Sequence, residues 1–144
     1  MRIAFGAEGW RAVIAEGFTV ENVCKVTQAI AEHFLETAST PLTLTVGYDT
    51  RFLSDRFAQL VCEVLAGNGI GSILSDRSVP TCAVSRYVVE RRLAGGIMIT
   101  ASHNPPHYNG IKVKEAFGGS ATPETVASIE RRIGRQPVKR VSLV

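Results

Sequence analysis

Apolar positions in this chain recur with two alternating periods, one near 3.6 residues and one of two. Val20, Val23, Thr27, Ile30, Ala31, Phe34 and Leu35 fall at helical spacing. They predict an amphipathic helix that starts from Thr19, a good N-cap, and ends within residues 37–41. Leu42 to Tyr48, LTLTVGY, is β-branched, with Leu42, Leu44 and Val46 on one face. It reads as a strand that delivers Asp49, Thr50 and Arg51 into a loop. Phe57, Leu60, Val61, Val64 and Leu65 restore the helical period, which predicts a second helix capped by Ser54 and stopped by Gly67 and Gly69. A strand from Ile70 to Leu74 follows. Pro80 to Arg92 then reads as a helix turning Val84, Tyr87 and Val88 inward, with Arg91 and Arg92 at a solvated end that suits the helix dipole.

The next apolar run, Ile97 to Thr100, reads as a strand and a second short strand covers Ile111 to Lys114, folded back through an Asn109-Gly110 turn. After a break at Gly118-Gly119, Thr122 and Pro123 open a last helix whose apolar face is Val126, Ile129 and Ile133. The opening stretch, IAFGAEGWRAVIAEGF, is punctuated by Gly6, Gly9 and Gly17. It predicts a strand, a tight turn at Gly6 to Gly9, and a return strand from which Arg11 emerges. Strands alternating with helices imply an α/β fold, a three-layer α/β/α arrangement around a mixed, largely parallel sheet. Residues 1–136 read as one domain and residues 137–144 as the start of a connection to a second.

Composition narrows what such a domain can do. The chain has 144 residues, enough to bury a core without disulfides or structural metal. No apolar run approaches the ~20 residues that cross a bilayer, and no export signal opens the chain, so no membrane partner is expected and the cytoplasm is the expected compartment. Cys24, Cys62 and Cys82 are odd in number and each sits among apolar neighbours, which predicts buried thiols. A net charge of +3 with 7% aromatic residues offers neither the basic stripe nor the stacking surface of a nucleic-acid binder. An acidic small ligand remains compatible. Gly67, Gly69 and Gly71 follow a helix instead of opening one, so they read as a C-cap, not a phosphate loop.

Chemistry concentrates where Ile97, Met98 and Ile99 give way to Thr100, Ala101, Ser102, His103 and Asn104. A hydroxyl and an imidazole surface there at a strand exit, the usual place for ligand chemistry in α/β folds. Ser102 is a weak nucleophile alone and needs a base, a metal, or positive groups around an incoming phosphoryl. His103, Lys112 and Arg11 are the candidates, and cations around one hydroxyl favour phosphate over a neutral substrate. A plain turn serine and hydrogen-bonded loop histidines at 103 and 107 are the alternatives that spacing leaves open.

The segment TASHNPPHYNGIKV after GGIMI closely resembles the active-site loop of the α-D-phosphohexomutases, the phosphoglucomutase and phosphomannomutase superfamily. FGAEGWRAVIAEGFT and VGYDTRFLS extend that resemblance in the same order along the chain, over the first domain of a four-domain enzyme. The resemblance implies that Ser102 is carried as a phosphoserine and interconverts hexose 1-phosphate and hexose 6-phosphate, of glucose or mannose, through a bisphosphate. It implies that His103 and Lys112 help proton transfer and charge stabilisation, that Arg11 approaches the phosphoserine, and that Asp49 and Arg51 support the loop. Ala7 stands where the family's turn usually carries Thr, which removes one hydroxyl contact.

The family also implies Mg²⁺, with Ser102 supplying one ligand as its phosphoester, and a hexose 1,6-bisphosphate as activator. The rest of the metal site is a DGDxD carboxylate cluster, and this chain has only Asp49, Asp55 and Asp76, dispersed. Expected partners are therefore a phosphosugar and further domains of a longer chain, with the isolated domain inactive. Faces left uncovered by those domains would favour dimers or domain exchange. The rival from another class is a non-catalytic phosphate- or partner-binding module of the same fold. A small phosphatase would need a base and metal site within the chain.

Overall fold

The computed structural model describes residues 2–6, 9–39 and 42–143. Ala7, with its missing hydroxyl, lies outside the described residues, as do Thr40 and Pro41 beyond the end of the first helix. The elements in order are β1 (Trp10–Val13), α1 (Val20–Thr37), β2 (Thr43–Tyr48), α2 (Ser54–Gly67), β3 (Gly71–Leu74), α3 (Thr81–Glu90), β4 (Gly95–Ile99), β5 (Tyr108–Glu115) and α4 (Pro123–Arg132). They build a mixed sheet in the order β1-β5-β4-β2-β3, in which β2 runs parallel to β3 and β4, while β5 is antiparallel to β4 and β1.

Side-chain alternation divides the sheet into two faces. Leu44, Val46, Ile97, Ile99, Ile111 and Val113 form the main core with α1, α2 and Ile129 of α4. Burying each large aliphatic side chain there contributes about 1.5–3 kcal/mol. On the opposite face α3 packs so closely that a Cβ on Gly47 would lie 2.5 Å from a Val84 methyl. This second cover explains why β2 is buried on both sides, Thr45 and Gly47 included, and not only along Leu42, Leu44 and Val46. The layered α/β/α expectation therefore holds.

Several local expectations change. Among the described residues the opening stretch has no strand before Gly6: Gly6 and Gly9 exchange backbone hydrogen bonds of 3.1 and 2.9 Å, and the return arm alone becomes a strand. Asn109 and Gly110 do not form a turn but lie inside β5, which is eight residues long; the reversal falls earlier, where the Tyr108 N–H donates to the Pro105 carbonyl at 3.0 Å. Cys24 and Cys62 are buried as expected, whereas Cys82 is exposed because α3 covers the sheet with Val84 and Val88 and turns Cys82 outward. Val20 and Leu35, placed on the apolar stripe of α1, are 55% and 46% exposed. They sit near the two ends of the helix.

His33 of α1 ties that helix to α4. Its Nδ1 lies 2.8 Å from Ser128 Oγ, and Arg132 reaches the same hydroxyl at 3.4 Å while pairing with Glu36. Burial, and secondarily the Arg132 charge, push the His33 pKa below its ordinary 6.5, against an opposing pull from Glu115. The unfolded chain then binds a proton that the folded chain refuses. Stability from this residue is complete above pH 6.5 and is lost as pH falls through the lowered folded value. Thermal melts between pH 7 and 5 are expected to fall more steeply for the wild type than for His33→Gln; equal slopes would exclude this role.

Candidate active site

The polar stretch after β4 crosses to β5 as a loop at the C-terminal ends of the parallel strands. Its crest is Ser102, exposed beside the exposed His103, with φ of +54°. A left-handed backbone costs a residue with a side chain roughly 1–2 kcal/mol. Something must therefore hold this loop against relaxation.

Arg51 holds it. Nη1 donates to the carbonyls of Pro105 at 2.8 Å and Tyr108 at 3.0 Å, and Nη2 to those of Ser102 at 2.9 Å and Asn104 at 2.6 Å. Nε faces Asp49 Oδ2 at 3.4 Å. A guanidinium has five N–H donors in a rigid fork, and here they are directed to the loop and to Asp49, leaving Arg51 a support and not a phosphate ligand.

Asp49 in turn anchors Arg51 to the sheet. Its Oδ1 accepts from the Arg51 backbone N–H at 2.9 Å and from Ser54 Oγ at 2.8 Å, and its Oδ2 accepts from Thr100 Oγ1 at 2.6 Å. Thr100 Oγ1 then accepts the Ser102 N–H at 3.1 Å, and Asn109 Nδ2 donates to Ser54 Oγ at 2.9 Å. Ser54 is thus not the helix cap expected of it. Leu53 occupies the cap position, with φ of +61° and no side-chain cap bond. The Ser54 hydroxyl, wholly buried, instead joins α2 to β5 and to the loop.

Arg11, second residue of β1, pairs with Gly110 of β5, and its Nη1 donates to Asn104 Oδ1 at 2.8 Å. Paired residues and residues two apart share a sheet face. Arg11 and Lys112, which pairs with Met98, therefore stand on the same face behind the loop. The structure thus brings Arg11 from β1 to the Ser102 loop, in which His103 is the next residue, while Lys112 lies two residues along β5 from Gly110 on the face that Arg11 shares. Thr100 and Asn104 of the polar stretch belong to this site, and so do Ser54 and Asn109, which sequence marks only as a helix cap and a turn.

Metal-binding capacity is different. Among the described residues no group of three or more His, Cys, Asp or Glu could hold a metal ion. Asp49, whose carboxylate is bonded to Thr100 beside the loop, already accepts hydrogen bonds on both oxygens. The described side chains do not make up a complete Mg²⁺ site, and no chemical step here is routed through one.

Residues 2–139 match the family model described as phosphoglucomutase/phosphomannomutase, alpha/beta/alpha domain I. The chain belongs to that family. Its resemblance to the α-D-phosphohexomutases is thereby shown, and the mixed sheet with helices on both faces is the fold of that domain. It is 38% identical over 137 residues to the phosphoglucomutase of Staphylococcus saprophyticus, spanning 91% of this chain and 24% of that protein. A Schizosaccharomyces pombe protein provisionally assigned as a phosphoribomutase is 39% identical over 127 residues, 85% of this chain and 22% of that protein. The crystal structure of a Thermus thermophilus protein provisionally assigned as a phosphomannomutase matches with a TM-score of 0.89 at 40% identity, covering 98% of this chain and 31% of that one. The domain therefore spans about a quarter of the length of these curated relatives. Phosphoglucomutase and phosphoribomutase are the activities named for these relatives. Among the described residues no helix is long and apolar enough to cross a membrane.

Proposed function

We propose that this domain presents Ser102 as the phosphoryl carrier of a hexose-phosphate mutase, acting on glucose or mannose phosphates as part of a longer chain. The observation that carries the reading is the Arg51 clamp, whose two terminal nitrogens engage four carbonyls of the loop and hold Ser102 outward in a left-handed conformation. Preorganisation of that kind is what phosphoryl transfer requires of a protein, since positioning and charge stabilisation supply most of its catalysis.

In this reading the phosphoryl group passes from Ser102 Oγ to a free hydroxyl of the sugar monophosphate. The Oγ–P bond breaks, a bond from phosphorus to the sugar oxygen forms, and the hydroxyl proton returns to Ser102. His103, beside Ser102 on the crest, is the residue assigned to move that proton. Arg11 and Lys112 offset negative charge behind the loop. The hexose 1,6-bisphosphate then gives back its other phosphoryl group to Ser102. Mg²⁺ belongs to this reading with phosphorylated Ser102 as one ligand and the others from outside this chain, as do a cytoplasmic setting and an inactive isolated domain. Residues 1–136 are the domain proper and residues 137–144 lead towards the next.

The exposure of Ser102, together with the lack of a metal-holding group among the described residues, favours a second reading, a non-catalytic phosphate-binding module. Intact-mass analysis of the longer mutase chain, before and after exposure to glucose 1,6-bisphosphate, separates the two. The mutase reading expects one phosphoryl group that Ser102→Ala abolishes. A protein that stays unmodified, or a phosphoryl group that survives Ser102→Ala, would favour the module.

A further inference from the structure

The segment after α4 does not leave the domain directly. It turns back and lies along α2, where the Lys139 N–H donates to Gln28 Oε1 at 3.1 Å and the Val141 N–H donates to the Glu63 carbonyl at 3.2 Å. Arg140 Nε donates to the Glu63 carboxylate at 2.6 Å. Gln28 is itself set by a reciprocal amide pair with Asn68, at 2.9 and 2.8 Å. The tail backbone passes so near Gly67 that a Cβ there would lie 2.4 Å from the Lys139 carbonyl oxygen.

These contacts have a direction. Lys139 lies against Gly67 and Val141 against Glu63, so two residues of tail advance along four residues of α2. An extended chain rises ~3.3 Å per residue and a helix ~1.5 Å, so the two run at nearly equal pitch. The tail therefore climbs from the C-terminus of α2 towards its N-terminus. That N-terminus is the end where Ser54 joins the Ser102 loop network.

The path continues into a groove of about 200 Å³ between the first turns of α1 and α2, which begins at Glu63 and Arg140 and is walled by Val20, Leu53, Arg56, Phe57 and Leu60. Val20 and Leu53 at its upper end are 55% and 39% exposed and leave an apolar wall open to solvent there. Leu143, 56% exposed, is the next apolar tail residue below it.

We propose that the flank of α2 is a docking track for the chain's own C-terminal segment. Residues 139–141 occupy its lower half, and in the longer chain of the mutase reading the residues that follow fill the groove and bring the next domain to the Ser102 end of this one. The occupant is this chain because its own tail already enters the track, in register and in the direction of the groove. The delivery of a second domain rests on the mutase reading. The docking and its direction do not.

The test uses the 144-residue chain. Amide exchange at Lys139 and Val141 is expected to be at least tenfold slower than in an unstructured peptide, and Gly67→Ala is expected to abolish that protection while core amides stay protected. Retained protection in Gly67→Ala would overturn close docking at that residue. In a Cys82→Ser background, a nitroxide attached through Leu143→Cys is expected to broaden the amide signals of Arg56 and Gln59 more than those of Asn68 and Gly69. Broadening centred on Asn68, or weak and uniform broadening, would overturn the direction. Neither readout involves phosphoryl transfer, so an unphosphorylated Ser102 leaves the docking result standing, and an undocked tail leaves the phosphoserine result standing.

Discussion

Arg51→Ala is expected to lower the rate of phosphoryl acceptance at Ser102 by about two orders of magnitude, the scale of loss when a reacting group is misplaced by about an ångström. The side chain is only 13% exposed and its nitrogens reach the carbonyls of Ser102, Asn104, Pro105 and Tyr108. Removal leaves those acceptors without their donor and Asp49 without its charge partner. Partly buried groups deprived of partners cost about 1–3 kcal/mol each before relaxation and water entry, so a net loss of about 3 kcal/mol of stability is expected. Arg51→Lys separates the two effects. An ammonium restores the charge beside Asp49 but cannot span four carbonyls. Stability should recover in part while acceptance stays at least tenfold down. Single-turnover labelling of Ser102 from a hexose bisphosphate in the longer chain, with urea melts of the same variants, measures both. Acceptance within a few-fold of wild type in Arg51→Ala would mean that β4 and β5 alone hold the loop.

Gly9→Ala is expected to detach the β1 edge of the sheet at a cost of about 3 kcal/mol or more. Gly9 has φ of +87°, and an added Cβ would lie 2.2 Å from the Ile111 carbonyl oxygen and 3.2 Å from Lys112 Cα. Both neighbours are backbone of β5, so nothing flexible can yield. Gly69→Ala supplies the control, because φ is +75° there but no atom lies within 4 Å of the added carbon. That variant should lose only the backbone term of about 1 kcal/mol. The difference between the two midpoints in denaturant measures the close approach at Gly9. With β1 goes Arg11, so the Asn104 contact should be lost and Ser102 labelling should fall alongside stability. Equal destabilisation by the two variants would show that β1 tolerates displacement.

Much of the architecture was legible in local pattern because the two hydrophobic periods are themselves consequences of helix and strand geometry. The stripes of α1 and α2 and the Thr122-Pro123 start of α4 follow from residues within one or two turns of each other. Thr19 and Thr122 cap as expected, each accepting the N–H three residues on. Ser54 carries the same local signal and does not cap. Its hydroxyl has a better partner in the Asp49 carboxylate, which β2 places beneath it. Asn109-Gly110 likewise carries the strongest hairpin signal among dipeptides, yet the carbonyls that Arg51 collects pull the reversal forward to Pro105. Cys82 was misread for a simpler reason: apolar neighbours in sequence occupy all sides of a helix, and only packing decides which side is covered.

The sequence by itself determined the element types, the layered α/β class, the family, and the loop in which Ser102 and His103 lie side by side. Each is written in adjacent residues or in a short repeat. Tertiary structure alone decided what holds that loop. Asp49 and Thr100 are 51 residues apart and become neighbours only because Tyr48 of β2 pairs with Ile99 of β4. Arg11 meets Asn104 across 93 residues only because β1 pairs with β5 beside the loop. Hydrogen bonds and charge act over a few ångströms of space and are indifferent to separation along the chain. A network built from strand ends therefore has no signature until the sheet order β1-β5-β4-β2-β3 exists.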